Sequence, residues 1–300
     1  MRKIILFSFL LSKILLAQES FDDPSFEIEN QPPPFFPFSL SGTYLAVSDA
    51  GFRTKAVQAS KLRYRQWDAA YAYTLPLSPI CGLIFGAGWV GTEVAMKNNP
   101  EFHETLFNYV NLSLGAFTNS FPDWTWTATF AMLFDTEVFS LMDYTLYQGV
   151  LWGRYHPRPE WELDFGFITE IGLSHTKIWP ILGFIHRFSP ELRLNAVFPV
   201  NISLEYDFFS CWTFAGSLRF LRDRHRVNQD EPNPQAIFEY RTWGGELDLT
   251  FSPFATFWIK GFAGSTLGGD LKVANRNYEH ATHFKFKGSF YGGASAVFSF

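Results

Sequence analysis

An all-β chain closed into an antiparallel transmembrane barrel is the architecture this sequence predicts. Three observations carry that prediction. Apolar residues recur at every second position through much of the chain, long polar connections alternate with tight ones, and the last alternating stretch ends on an aromatic residue. The chain has 300 residues, enough for one large domain. Phe 35, Tyr 12 and Trp 10 make 19% of it aromatic, and the mean hydropathy is −0.02. That average is too polar for a bundle of membrane helices, and no apolar run reaches the roughly 20 residues a spanning helix needs.

Taken from the start, residues 1–17 read as a cleavable signal peptide: basic Arg2 and Lys3, apolar Ile4 to Leu11 and Ile14 to Leu16, then the small Ala17 before Gln18. Residues 18–37 read as an acidic, proline-rich periplasmic leader. Asp22, Asp23, Glu27 and Glu29 supply the charge, and Pro32 to Pro34 and Pro37 cannot donate to a sheet ladder. Residues 38–300 are the expected barrel.

Within it the period-two signal is strongest at Trp124 to Phe134, where Trp124, Trp126, Ala128, Phe130, Met132 and Phe134 oppose Thr125, Thr127 and Thr129. At Trp161 to Ile171, Trp161, Leu163, Phe165, Phe167 and Ile171 oppose Glu162, Asp164, Gly166 and Glu170. At Trp243 to Phe251, Leu247 and Leu249 oppose Thr242, Glu246 and Asp248. Alternate side chains of a strand point to opposite faces, so each segment has one greasy and one polar face. Weaker versions recur near 38–47, 64–75, 81–92, 104–117, 145–155, 177–188, 192–198, 202–208, 211–222, 255–265 and 283–300. Many reach the ~9–11 residues that cross a bilayer at a tilt.

The connections agree. Long ones near 48–63, 93–103, 135–144, 223–235 and 266–282 carry charge, Asn, Gly and Pro; tight ones lie near Pro76–Ile80, Thr118–Pro122, His156–Pro159, Ser189–Pro190 and Ser252–Phe254. Long external loops at one end and short periplasmic turns at the other are the pattern of outer-membrane barrels. With a hairpin around Pro199–Asn201 the expected count is about 14 strands, 12 if the short segment 202–208 does not span.

The last strand places Phe290, Ala294, Ala296, Phe298 and Phe300 on one face and Lys285, Lys287, Ser289, Tyr291, Ser295 and Ser299 on the other. Phe298 and the terminal Phe300 resemble the signal by which the outer-membrane barrel-assembly machinery recognises its clients. That machinery and outer-membrane lipid are the expected partners, and the cell outer membrane the expected location. The stretches Trp179-Pro180-Ile181-Leu182-Gly183, Pro190, Leu192 to Pro199, Leu204 to Tyr206 and Ala72 to Leu77 resemble an uncharacterised family, a domain of unknown function, of bacterial outer-membrane β-barrels. The resemblance implies a barrel in the outer membrane and supplies no catalytic residues.

Functional chemistry is sparse. Losing residues 1–17 removes Arg2, Lys3 and Lys13 and takes the formal charge from −5 to −8, which argues against nucleic acid. Cys81 and Cys211 are too few for a disulfide framework and are expected to be unpaired. His156, His175 and His186 are the possible bases, with Ser174 beside His175, but no glycine-flanked serine or HExxH motif accompanies them. No cofactor or metal site is expected. Glu162, Asp164, Glu170, Glu246, Asp248, Lys285 and Lys287 are expected to face the lumen, because charge facing lipid at mid-depth costs roughly 2–4 kcal/mol for Lys or Arg. They suit either opposed charge rows that screen solutes or mutual pairs that plug the interior. A non-enzymatic, porin-like channel for small solutes is the first expectation. A surface-interaction barrel and a barrel enzyme acting on lipid or peptide are the alternatives.

Overall fold

The computed structural model describes residues 36–97 and 99–300. The expected signal peptide and residues 18–35 of the expected leader lie outside the described residues. The strands are β1 (Phe38–Gly51), β2 (Lys61–Ser78), β3 (Cys81–Met96), β4 (Leu106–Thr118), β5 (Trp124–Asp135), β6 (Thr145–Arg158), β7 (Trp161–Gly172), β8 (Lys177–Arg187), β9 (Leu192–Phe198), β10 (Asn201–Phe209), β11 (Trp212–Arg226), β12 (Ile237–Phe254), β13 (Phe257–Ala274), β14 (Thr282–Phe286) and β15 (Phe290–Ser299). They form one antiparallel sheet, with β1 to β13 joined by successive hairpins. β15 lies between β13 and β1 and closes the ring. β15 pairs with Phe257–Ser265 of β13 and β14 pairs with Gly269–Val273, so the two are successive halves of one stave. The result is a closed barrel of fourteen staves.

Alternation builds the wall. On β5, Thr125, Thr127 and Thr129 are buried while Phe130 is exposed; on β10, Ser203 and Glu205 are buried while Ile202, Leu204 and Tyr206 are exposed. An apolar outer face against a polar inner one is the arrangement a barrel in lipid requires. At the short-turn end the outer aromatics pack on one another: Trp124 stacks on Trp126 and Tyr155 at 5.3 and 4.9 Å, Trp161 on His186 at 4.1 Å, and Phe38 on Phe300 at 5.5 Å. The turns there are held by hydroxyls. Ser189 Oγ accepts from the amides of Glu191 and Leu192, and Ser78 Oγ from that of Ile80. Cys81 and Cys211 are both free thiols.

The wall is not of even height. β9 and β10 have 7 and 9 residues, whereas β11, β12 and β13 have 15, 18 and 18. β9 pairs with β8 only from Leu182 onward, and β10 pairs with β11 only up to Arg219. Above the Pro199–Val200 turn, Lys177–Ile181 of β8 and Phe220–Arg226 of β11 therefore face a notch. Freed from a neighbour, the tops of β11 to β14 leave the cylinder and fold across the long-loop mouth as a flap.

The parity of β11 demonstrates this. Phe214 and Leu218 are exposed on the outer face, and Arg222, Arg224 and Arg226 continue the same parity without a register shift, yet Arg224 and Arg226 are only 2% and 1% exposed. The flap bends where glycine and irregular pairing permit. Between β12 and β13, Trp243 stands opposite both Leu267 and Gly268, a bulge in which Gly268 has φ +89°. The strand partner breaks at Lys287–Ser289, between β14 and β15.

Two expectations are corrected here. The expected loop 266–282 is largely strand, reduced to 275–281, and the expected loop 223–235 gives Asp223–Arg226 to β11, leaving 227–236. The expected continuous strand 283–300 is interrupted, and parity reverses across the interruption: Phe284 and Phe286 are buried, while Lys285 and Lys287, expected in the lumen, are exposed.

Candidate functional site at the closed mouth

The face of the flap that continues the barrel's interior is apolar and packs on the upper halves of β1 to β4. Tyr240 is sandwiched between Tyr64 (4.1 Å, 7°) and Phe286 (5.2 Å, 4°), and Phe238 lies 5.4 Å from Phe102 and 4.7 Å from Phe107. Leu45, Val47, Phe52, Val94, Leu221 and Leu271 belong to the same buried cluster. At its lower edge Asp223 takes a hydrogen bond from Thr92 (2.5 Å) and one from Tyr64 (3.3 Å), and lies 2.6 Å from His225 Nε2.

The opposite face looks at β6 to β8 and is ionic. Arg222 donates to both oxygens of Glu170 on β7 at 3.0 and 2.9 Å, and through Nε to Glu239 at 2.6 Å. Its guanidinium lies 4.2 Å from the Trp179 ring on β8, spanning the notch. Lys177 also pairs with Glu239, at 2.5 Å, and Tyr278 donates its hydroxyl to the same carboxylate. Burial and that carboxylate push the Tyr278 phenol well above its ordinary pKa. Beside this network Ile237 packs on Leu146 and Leu173.

Loops latch the flap from above. The Glu231 carboxylate accepts from the amides of His103 (2.5 Å) and Glu104 (2.8 Å), the Asn228 amide donates to Glu104 Oε2 at 2.9 Å, and Asn233 Nδ2 donates to Glu101 at 2.9 Å. Burial pushes the Glu104 carboxyl up to about 7, against the Asn228 hydrogen bond, which lowers it; the nearby Glu137, Asp135 and Glu231 charges add to the rise.

Below the flap the expected lumen charges are buried, with Asp164 at 0% and Glu162, Glu170, Glu246 and Asp248 at 2–6%. They are engaged by partners rather than ranged in rows. Arg154 pairs with Glu162 (3.1 Å) and Asp164 (2.8 Å), Arg219 with Glu246 (2.5 Å), and Ser217 donates to Asp248 (2.6 Å). Arg193 and Glu205 form a further pair. A cavity of about 20 Å³ lies among Arg193, Glu205, Asp248 and Lys260, room for about one water. A second apolar cluster, of Ile84, Phe117, Val150, Trp152, Ile168, Ile181 and Val197, adjoins these pairs through Trp152, whose Nε1 donates to Asp164 at 2.7 Å.

Phe298 and Phe300 are half exposed on the outer face, their rings 5.5 Å apart. The histidines are dispersed. His186 stacks on Trp161 outside the barrel; in the 173–176 turn, His175 stacks on Tyr278 while Ser174 Oγ accepts from Arg226. Ser174 and His175 are thus turned to separate partners. The Arg222, Arg224 and Arg226 stripe escaped sequence reasoning. Its signal was the run Arg222-Asp223-Arg224-His225-Arg226, charged on both parities, which reads as loop.

A closed fourteen-stave antiparallel barrel, apolar outside and salt-bridged within, is the class that fold and interior define. A solved outer-membrane channel from Pseudomonas putida F1 shares the fold, with TM-score 0.51 and 10% identity over 92% of this chain and 100% of that one. No family model matches the chain. An uncharacterised protein of Chlamydia pneumoniae is 33% identical over 97% of this chain and 95% of its own length; one of Chlamydia trachomatis serovar D is 31% identical over 91% and 90%. The chain belongs to the family of these chlamydial proteins.

Proposed function

We propose that this chain is an outer-membrane channel for small solutes, held shut by its own folded-in strands, and not an enzyme. The observation that carries the reading is the position of the flap, which stands between β1–β4 and β6–β8 and is held by a side-chain bond from β11 to β7. Beneath it the interior is lined by buried pairs, Arg154 with Glu162 and Asp164 and Arg219 with Glu246, and the sheet extension hinged at Gly268 is what covers the mouth above them. The outer apolar band would meet lipid, the short turns would face the periplasm, and Phe300 would be read by the assembly machinery. The separation of Ser174 from His175 supports the non-catalytic part.

Planar-bilayer recording tests the proposal. The refolded wild-type chain is expected to show rare, brief openings. A variant carrying Glu170→Gln and Glu231→Ala, which removes the ionic bond to β7 and the Glu231 latch to the 97–105 loop, is expected to stay open far longer. If that variant folds by heat-modifiable gel migration and conducts no more than wild type, the channel reading fails.

A further inference from the structure

The ionic side of the flap is not electrically balanced. Lys177, Arg222 and Arg224 converge on two carboxylates, Glu170 and Glu239, with Lys272 near Glu239 and Arg226 next along the same face of β11. The other acids nearby are shared: Asp270 is paired with Arg241 (3.2 Å) and His283 (2.7 Å) besides facing Lys272, and Asp143 with Arg276 (3.4 Å) besides facing Arg226. Glu239 is consumed by Lys177 and Arg222, and Glu170 by Arg222, whose paired hydrogen bonds leave Arg224 at 3.7 Å from the same carboxylate.

What remains for Arg224 and Arg226 is weak. Arg224 reaches the carbonyls of His175 and Gly172, both at 3.4 Å. Arg226 has the carbonyls of Gln235 (3.1 Å) and Arg276 (3.3 Å) and the hydroxyl of Ser174 (2.9 Å). The Nε atoms of both are buried without an acceptor, although the two residues are 2% and 1% exposed. Buried charges whose counter-charge is shared with other cations are disfavoured, and a guanidinium in this state can receive a planar or tetrahedral oxyanion. Lys272 has its ammonium 3.6 Å from the Tyr278 ring centroid.

The covering turn is strained. Gly172, Leu173 and Ser174 have φ +124°, +47° and +58°, three consecutive left-handed residues, an arrangement that is strained for non-glycine residues and persists only when held by its surroundings. Ser174 and His175 are exposed on its outside. Burial, and after it Lys177, Arg224 and Lys272, hold the His175 imidazole below its ordinary pKa.

We infer that the seam between the 173–176 turn and the flap, where Arg224, Arg226, Lys177 and Lys272 gather, takes up an oxyanion of the phosphate-ester or carboxylate class as the turn lifts. The anion supplies acceptors to Arg224 Nε and Arg226 Nε and takes the place of the long carbonyl contacts. The site adjoins the notch between β8 and β11, whose lip carries the exposed Ile178, so the oxyanion can be a free solute or the headgroup of an amphiphile whose chain lies along the wall. The inference does not depend on whether the barrel conducts.

The full mature chain, refolded in a zwitterionic detergent, is titrated with inorganic phosphate and separately with a single-chain alkyl phosphate. Ionic strength is held constant with chloride, and binding is read by equilibrium dialysis and by the thermal unfolding midpoint. Saturable binding of either ligand supports the site: phosphate alone sufficing identifies a free anion, and a requirement for the alkyl chain identifies a headgroup. Arg226→Gln and Lys272→Met should each weaken binding tenfold or more, while Arg63→Gln, in an exposed pair with Asp49, should not. Ser174→Asp places a carboxylate beside Arg226 and should abolish binding while raising the midpoint of the ligand-free protein. No saturable binding to wild type, or equal binding to wild type and Lys272→Met, overturns the inference. Should Arg226→Gln fail to fold, Lys272→Met and Ser174→Asp still decide it.

Discussion

Arg222 on β11 and Glu170 on β7 are joined by two parallel hydrogen bonds of 3.0 and 2.9 Å, although four strand positions separate them around the barrel. A residue on the outer parity of one wall meets a residue on the inner parity of another, which is possible only if the first wall has folded inward. The pair is buried, so removing one partner strands the other. Glu170→Gln and Arg222→Met, each alone and combined, should give a coupling of about 1–3 kcal/mol in a double-mutant cycle of unfolding from detergent. A coupling indistinguishable from zero would mean that the flap does not stand where described.

The hinge makes a separate demand on the chain. Gly268 combines φ +89° with a position where a Cβ would come 3.0 Å from the Phe286 carbonyl oxygen, whereas Gly261 on the same strand has nothing within 4 Å of that point. Gly268→Val should therefore lower unfolding stability by about 1–3 kcal/mol, the cost of a strained backbone conformation. Gly261→Ala should be nearly neutral. The measurement is the temperature at which heat-modifiable gel migration is lost, and equal shifts for the two would dissociate the bulge from the bend.

The latch is expected to respond to pH through Glu104. In the folded chain its carboxyl holds a proton up to about 7, against an ordinary glutamate value of 4.5. Between those values the folded state binds the extra proton, so this group's stabilising contribution is complete below about 4.5 and is lost as pH rises through about 7. Because the site is half exposed, solvent screening holds the effect to on the order of 1 kcal/mol. Hydrogen exchange at the Asn228 amide should be slower at pH 5.5 than at pH 8 after correction for intrinsic rates. Glu104→Gln should remove that difference; an unchanged difference would assign it to another group.

What the sequence made legible follows from where two solvents meet. Trp124 to Phe134 announces its strand because lipid-side Phe130 and lumen-side Thr129 need opposite chemistry. The flap has no such contrast. At Arg222, Arg224 and Arg226 the outer parity is charged because it faces Glu170 and the 173–176 turn, and at Phe238 and Tyr240 the inner parity is aromatic because it faces Tyr64 and Phe102. A strand covered on both sides by protein loses the alternation that identifies it. Lys285 and Lys287 show the complementary failure. Their parity with Ser289 and Tyr291 placed them inside, but the one-residue bulge at Leu267–Gly268 of β13, which the 287–289 break follows with its pairing to β13 unshifted, turns every side chain above it to the other face. The acids Glu162 and Asp164 were legible as interior residues, but their partner Arg154 was not, since pairing across neighbouring strands depends on register.

Phe300 permits the effects of packing and of recognition to be separated. Its backbone closes the ring, with its amide donating to the Phe38 carbonyl at 2.9 Å and its carbonyl accepting from the Phe38 amide at 3.0 Å. Those bonds do not require a ring. The side chain stacks on Phe38 and Phe298, both at 5.5 Å, and is half exposed on the outer face. Loss of such stacking costs about 1 kcal/mol, too little to prevent folding. Phe300→Ser should therefore refold in detergent with only a small drop in its unfolding midpoint, while its yield in the outer membrane of a producing cell falls severalfold. Phe290→Ser, changed at a more exposed aromatic on the same strand, should leave that yield nearly unchanged. Equal losses for the two variants would mean that the terminal aromatic is not singled out during assembly. A large drop in the refolded midpoint of Phe300→Ser would assign its role to packing instead.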